Sequence, residues 1–225
     1  MRKVTFNEYG YYHIFNRGVD KRKIYMDEND YQRFYLSLYA FNNANFVPSK
    51  GASLEEALSF QILERKPYVS ILSFCLVPNH FHMLVRPLQG EWMSCFMQRT
   101  LTSYVKYFNL KHERTGRLFE TEFKAVPAGE EGHFEHLPRY IHMNPLDAID
   151  KNWRDGTVTD WDRDIAFLNG YRWSSHHVFL GKGQELPVVD DEFAKNMFRT
   201  PDAYVRYLKS WSTSQADLFK DLYRS

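Results

Sequence analysis

Residues 68–86 read YVSILSFCLVPNHFHMLVR. Tyr68 to Leu76 is a nearly continuous apolar run, the pattern of a central strand or one covered on both faces. Pro78-Asn79 is a turn dipeptide. His80 to Arg86 is a second apolar run, so the two strands form a hairpin. Side chains at i and i+2 of a strand share a face, and His80 and His82 therefore converge. Two imidazoles aimed at one point suit a divalent metal. With nine His in the chain, an H-x-H triplet also arises by chance.

Upstream of the hairpin, Tyr11 to Phe15 reads as a short strand and Asn16-Arg17-Gly18 as a turn. Tyr31, Phe34, Tyr35, Leu38 and Phe41 recur at helical spacing, which predicts a helix over 30–41 capped by Asn29 or Asp30. Residues 42–52, with Pro48 and Gly51, form a loop. Ser53 and Glu56 make a capping box for a short helix reaching about Glu64. Downstream, Trp92, Phe96, Leu101, Tyr104, Val105 and Phe108 mark a long helix to about Lys111, and Gly116 breaks the pattern. Leu118–Val126 reads as a strand and Glu131–Asn144 as a helix. This order predicts an α+β fold, a ferredoxin-like (RRM-like) antiparallel sheet with helices on one face. After Ile149 the tryptophans sit among Asp, Gly and Ser. Helical stretches near Asp190–Met197 and Pro201–Ser212 make this tail an irregular, helical C-terminal extension. The expected division is 1–150 and 151–225, with the second part packed on the first.

The chain has 225 residues, 44% hydrophobic and 25% charged, ordinary for a globular protein able to bury a core. Cys75 and Cys95 read as buried thiols of a reducing compartment. No long apolar stretch or signal-peptide core is present, so a cytoplasmic location is expected and no membrane. The net charge of +1 excludes a blanket polyanion binder. Its distribution is uneven: residues 1–25 carry six basic side chains, Arg2 and Lys3 among them, against two acidic ones, and residues 97–125 carry six against three. These segments permit phosphate contacts.

On a helix Tyr140 and Asn144 stand at i and i+4 and project from one face. An amide oxygen there would complete a metal site beside the imidazoles. Equally, Tyr140 is core and Asn144 ends the helix before Pro145. The combination is more informative than either part. YYHIFNRG (11–18), ILSFCLVPNHFHMLVRP (71–87), SYVKYFN (103–109), GRLFETEFKA (116–125), RYIHMNPLDA (139–148) and YRWSS (171–175) together resemble the HUH-type single-tyrosine transposases, most closely their REP-associated branch. The resemblance runs over residues 5 to about 180.

The resemblance implies that residues 1–150 are the catalytic domain of a single-strand DNA endonuclease and strand transferase. It implies His80 and His82 as paired metal ligands, Asn144 as a third polar ligand and Tyr140 as the nucleophile. The partner would be single-stranded or hairpin DNA, REP-like in type, with Mg2+ or Mn2+ as cofactor and no small-molecule substrate. Members of such a family are monomers or homodimers. Asn16, Arg17, Arg22, Lys106 and Lys124 are candidate DNA contacts, each equally a solvated surface group. Two departures stand out. Glu122 occupies a place where a basic residue is expected. Pro138 lies two residues before Tyr140, where it removes a helix donor and predicts a late start or a kink. The rival readings are a noncatalytic nucleic-acid-binding module with Tyr12 or Phe74 as stacking platforms, and a zinc hydrolase using His80, His82 and either His13 or His142.

Overall fold

The computed structural model describes residues 4–47, 53–60, 65–129 and 133–220. Arg2, Lys3, Pro48, Gly51, the expected helix end at Glu64 and the expected helix start at Glu131 lie outside the described residues. The chain runs β1 (Tyr12–Arg17), a 3-10 turn (Val19–Lys21), α1 (Glu28–Ala40), α2 (Leu54–Phe60), β2 (Val69–Val77), β3 (His80–Pro87), α3 (Trp92–Lys111), β4 (Lys124–Pro127) and α4 (His133–Met143). Two 3-10 segments follow, Asn144–Ala148 and Lys151–Asp155. Then come α5 (Trp161–Gly170), α6 (His176–Phe179), α7 (Asp191–Met197), α8 (Pro201–Lys209) and α9 (Thr213–Asp217).

The strands form one sheet in the order β2-β3-β1-β4, every neighbouring pair antiparallel. β1 and β2 flank β3 and are joined through the helices between them, so the sheet is the expected ferredoxin-like one. The capping box of α2 is present, with Ser53 and Glu56 bonded reciprocally. Three local readings are corrected. The cap of α1 is Asp27, which accepts from Asp30 N at 3.1 Å, whereas Asp30 itself is buried and held by Lys111 and His112. The fourth strand is shorter than the apolar run suggested, because Phe119 instead makes an isolated bridge to Gly18. Cys95 is exposed on α3, although Cys75 is buried.

Alternation along the strands divides the core in two. Tyr12, Ile14, Phe81, Met83 and Val85 face α1 and α3. Leu72, Cys75, Val77 and Leu84 face α4 and the helices after it. A bulge between Ile71 and Ser73 shifts the parity of β2 so that both layers stay filled. His80 and His82 alternate with Phe81 and Met83 and therefore belong to the second face. Chain after Ile149 also covers the β2 edge: Leu76 N donates to Trp173 O, Ser175 N to Phe74 O and Asp190 N to Ile71 O. Gly156 closes the Lys151–Asp155 segment against α9. Its φ is 76°, and a Cβ there would lie 2.1 Å from Thr213 N, so only glycine permits this approach. Among the described residues no helix is long and apolar enough to cross a membrane.

Candidate active site

The hairpin turn at Pro78-Asn79 delivers His80 at the start of β3, and His82 follows two residues on. Their rings lie 4.9 Å apart at 86°. Both side chains are buried. His80 Nδ1 is 2.6 Å from Asn79 Oδ1. That oxygen only accepts, so the ring proton belongs on Nδ1 and His80 Nε2 carries a lone pair. Nε2 faces Asn144 Oδ1 at 3.3 Å. The Asn144 amide is oriented by its nitrogen, which donates to Tyr140 O at 2.7 Å. Two acceptors thus face one another with no proton to share, an arrangement that a cation relieves. His82 Nδ1 meets His13 Nε2 at 2.8 Å. If His82 donates, its Nε2 is likewise left with a lone pair, and His13 is the partner that orients the ring.

Burial keeps these rings neutral. It lowers the pKa of His80 to about 4 and of His13 to about 3, and holds His82 well below its ordinary range. His142 and His176 are depressed by burial as well, the latter to about 3. Unfolded, each ring takes a proton near pH 6.5. The stability contributed by the neutral rings is complete above that pH and is lost as pH falls toward 4. One such group costs about 1.4 kcal/mol per pH unit. Five together should remove several kcal/mol by pH 5, a large part of the stability of an ordinary domain. Urea melts at pH 7 and pH 5 check this, and equal midpoints would contradict it.

Tyr140 lies on the buried side of α4. Its ring is 5.4 Å from the His82 ring and 5.9 Å from that of His13, edge-on to both. Phe219 stacks on it at 4.6 Å and 9°, and Trp153 packs at 5.8 Å. Tyr140 is 1% exposed. Burial raises its hydroxyl pKa, opposed by the charge of Arg154 and by hydrogen bonds from Arg154 and Asn144. Arg154 also reaches Asn144 Oδ1 at 3.2 Å and is gripped by both oxygens of Asp147. Sequence reasoning missed Arg154. It lies in a 3-10 segment with no periodicity, beyond the expected end of the catalytic part, and only the fold brings it to Tyr140.

Pro138 is inside α4, and the helix runs through it instead of starting there. The adjoining break in the hydrogen-bond ladder is spliced from α8. Arg139 N donates to the Tyr207 hydroxyl at 3.4 Å, and that hydroxyl donates to Glu135 O at 2.5 Å. Arg139 is fully buried and grips the end of α8, donating to Tyr207 O and Ser210 Oγ. The chain after Ile149 therefore helps to aim the Tyr140 helix. Tyr207→Phe keeps the ring and removes the splice. It should cost about 1 kcal/mol of stability, and urea melts of the variant and the unmodified protein check this.

The candidate DNA contacts divide. Arg17 pairs with His80 across β1 and β3, and Lys124 pairs with Phe15, with its amine 5.8 Å from that ring. Phe15 in turn lies 5.6 Å from the His82 ring, so Arg17 and Lys124 share the histidine face. Arg22 stands in the Gly18–Arg22 turn nearby. Asn16 is buried, and its amide is used on the carbonyls of Thr121 and Glu122. Lys106 is on the outer side of α3, against the opposite sheet face. Glu122 is exposed just before β4. The rival platforms Tyr12 and Phe74 are buried in the core. His142 is committed to Ser175 and Tyr204, so it is not a third ligand. Among the described residues no three His, Cys, Asp or Glu side chains form a metal cluster.

Residues 51–144 match the family described as "Transposase IS200 like". The transposase likeness expected from the motifs is thereby found in the segment that spans β2, the histidine pair, α3 and α4. The chain is also similar to a solved structure described as the REP-associated tyrosine transposase bound to a REP hairpin. That likeness has a TM-score of 0.51 at 13% identity and covers 84% of this chain and 88% of that one. At this identity it shows the shared fold. No curated protein matches the chain.

Proposed function

We propose that this chain is a tyrosine transposase of the IS200-like kind, a divalent-metal-dependent nuclease and strand transferase for single-stranded or hairpin DNA. The observation that carries the reading is the meeting of His80 Nε2 and Asn144 Oδ1, two facing acceptors, on a sheet face that also holds His82 and Tyr140. His80, His82 and Asn144 would hold Mn2+ or Mg2+, since neutral nitrogen and oxygen donors of this kind suit Mn2+ well and tolerate Mg2+. When bound, the ion supplies charge stabilisation at a phosphodiester oxygen.

Tyr140 Oη attacks the phosphorus and the bond to the 3′-oxygen breaks. The products are a 5′-phosphotyrosine and a free 3′-OH: the phenol gives its proton to solvent during attack, and the leaving 3′-oxygen takes one from solvent. Arg154, beside Tyr140, favours the phenolate and the anionic transition state. Because the phosphoester is retained on Tyr140, a 3′-OH can reverse the step and join strands without ATP. In this structure Phe219 and Trp153 cover Tyr140, so DNA reaches its hydroxyl only after the Phe219 turn shifts.

The test is to incubate the protein and Mn2+ with end-labelled hairpin DNA bearing single-stranded flanks, then denature in SDS. The reading requires an SDS-resistant adduct that EDTA prevents. Cleavage without adduct would assign water as nucleophile, and binding alone would make the chain a noncatalytic module.

A further inference from the structure

Beside the histidine pair lies a second feature, an open cleft of about 940 Å³ between the Gly18–Arg22 turn and the loop that follows α3. Lys21, Arg22, Arg114 and Arg117 line it, against Asp20 and Glu120. The turn is built at a cost. Asp20 and Lys21 have φ of 56° and 58°, two consecutive left-handed residues that are not glycine. Each such residue costs about 1–2 kcal/mol. Gly18 makes the fold-back possible, since a Cβ there would lie 2.3 Å from Arg22 O. The turn is tied down by Gly18 N to Asn79 O at 2.9 Å and by Val19 N to Leu118 O at 3.0 Å. On the other wall, Arg114 is fixed by Asn109 Oδ1 at 2.8 Å.

The cations are not consumed by the protein itself. Arg22 and Asp20 meet at 3.5 Å as exposed groups, an ion pair that contributes little. Among the described residues no carboxylate pairs with Lys21, Arg114 or Arg117. The cleft also adjoins the candidate active site through one residue. Asn79 Oδ1 accepts from His80 Nδ1, and Asn79 Nδ2 donates to Lys21 O at 3.3 Å. Arg17, opposite His80 in the sheet, continues the line of positive charge between them.

We propose that this cleft is the track for the DNA phosphodiester backbone that flanks the scissile phosphate. The inference rests on the proposed function and adds the path of the substrate to it. A wide, open cleft in which four cationic side chains outnumber two carboxylates matches an extended polyanion better than a small enclosed ligand. Arg17 and the cleft then hold successive phosphates, while Asn79 couples the turn to the orientation of His80.

Fluorescence anisotropy with a labelled DNA hairpin carrying a single-stranded flank, in EDTA, measures binding without chemistry. Lys21→Gln/Arg117→Gln should weaken binding about tenfold. It should also reduce the slope of log K against log salt by about 0.7 for each lost contact to single-stranded phosphate. Arg172→Gln/Lys195→Gln, with the same change of charge in the chain after Ile149, should bind as the parent does. Equal affinity and slope in the cleft variant would overturn the proposal and leave the proposed function standing. An equal loss in the control variant would also overturn it, as would tighter binding of the corresponding RNA hairpin. If the unmodified protein binds no DNA, the cleft and the proposed function fall together. Unchanged circular dichroism and Mn2+ binding in the cleft variant separate lost contacts from misfolding.

Discussion

Tyr140→Phe is expected to abolish the covalent protein–DNA adduct and to lower strand cleavage by about 10³-fold or more, to the limit of detection. The phenyl ring still fills the space between His82, Trp153 and Phe219, so the core around it is kept. The loss is the hydroxyl and its contacts to Arg154 and Asn144, worth about 1 kcal/mol. DNA affinity should stay within about twofold, because the proposed phosphate contacts lie elsewhere. A large fall in rate without a fall in affinity or fold is the signature of a lost nucleophile. Undiminished cleavage by the phenylalanine variant would transfer the role to water and favour the hydrolase reading.

The second large effect concerns the histidines. In His80→Ala/His82→Ala two of the three proposed ligands are gone, and Mn2+ binding measured by calorimetry should disappear together with cleavage. Mn2+ should raise the melting temperature of the unmodified protein, because a ligand that binds only the folded state stabilises it, and should leave that of the double variant unchanged. His13→Ala should have an intermediate effect, about 10–100-fold in metal affinity, since in the proposed site His13 orients His82 from behind. Because His80 protonates only at about 4, the unmodified affinity should be nearly flat between pH 8 and 6. Retained single-site Mn2+ binding in the double variant would remove His80 and His82 from the ligand set.

What the sequence made legible was local. The apolar run 68–76, the Pro78-Asn79 turn and the H-x-H triplet led to the hairpin and to the face on which both imidazoles lie, because period-two alternation has one solution once a strand is assigned. The i, i+4 spacing of Tyr140 and Asn144 was equally readable, and Asn144 does stand over His80. The parts that escaped reading are long-range. Arg154 and Phe219 reach Tyr140 only because the 3-10 segment and α9 fold back across the sheet, and no periodicity encodes that return. Pro138 neither starts nor ends α4, which runs through it. The Tyr207 hydroxyl that bonds beside it, from 69 positions further along, is brought there by the docking of α8. The second sheet face was hidden for the same reason: the strands advertise two apolar faces, but not which helices cover each.

The most direct test of the central claim is to locate the covalent bond. Trypsin should release residues 140–151, which begin at Tyr140 and contain no other tyrosine. After reaction with Mn2+ and hairpin DNA, digestion and mass spectrometry should find this peptide carrying the 5′-phosphate of the cleaved strand. A nucleotide on any other peptide, or complete cleavage with residues 140–151 unmodified, would contradict the account.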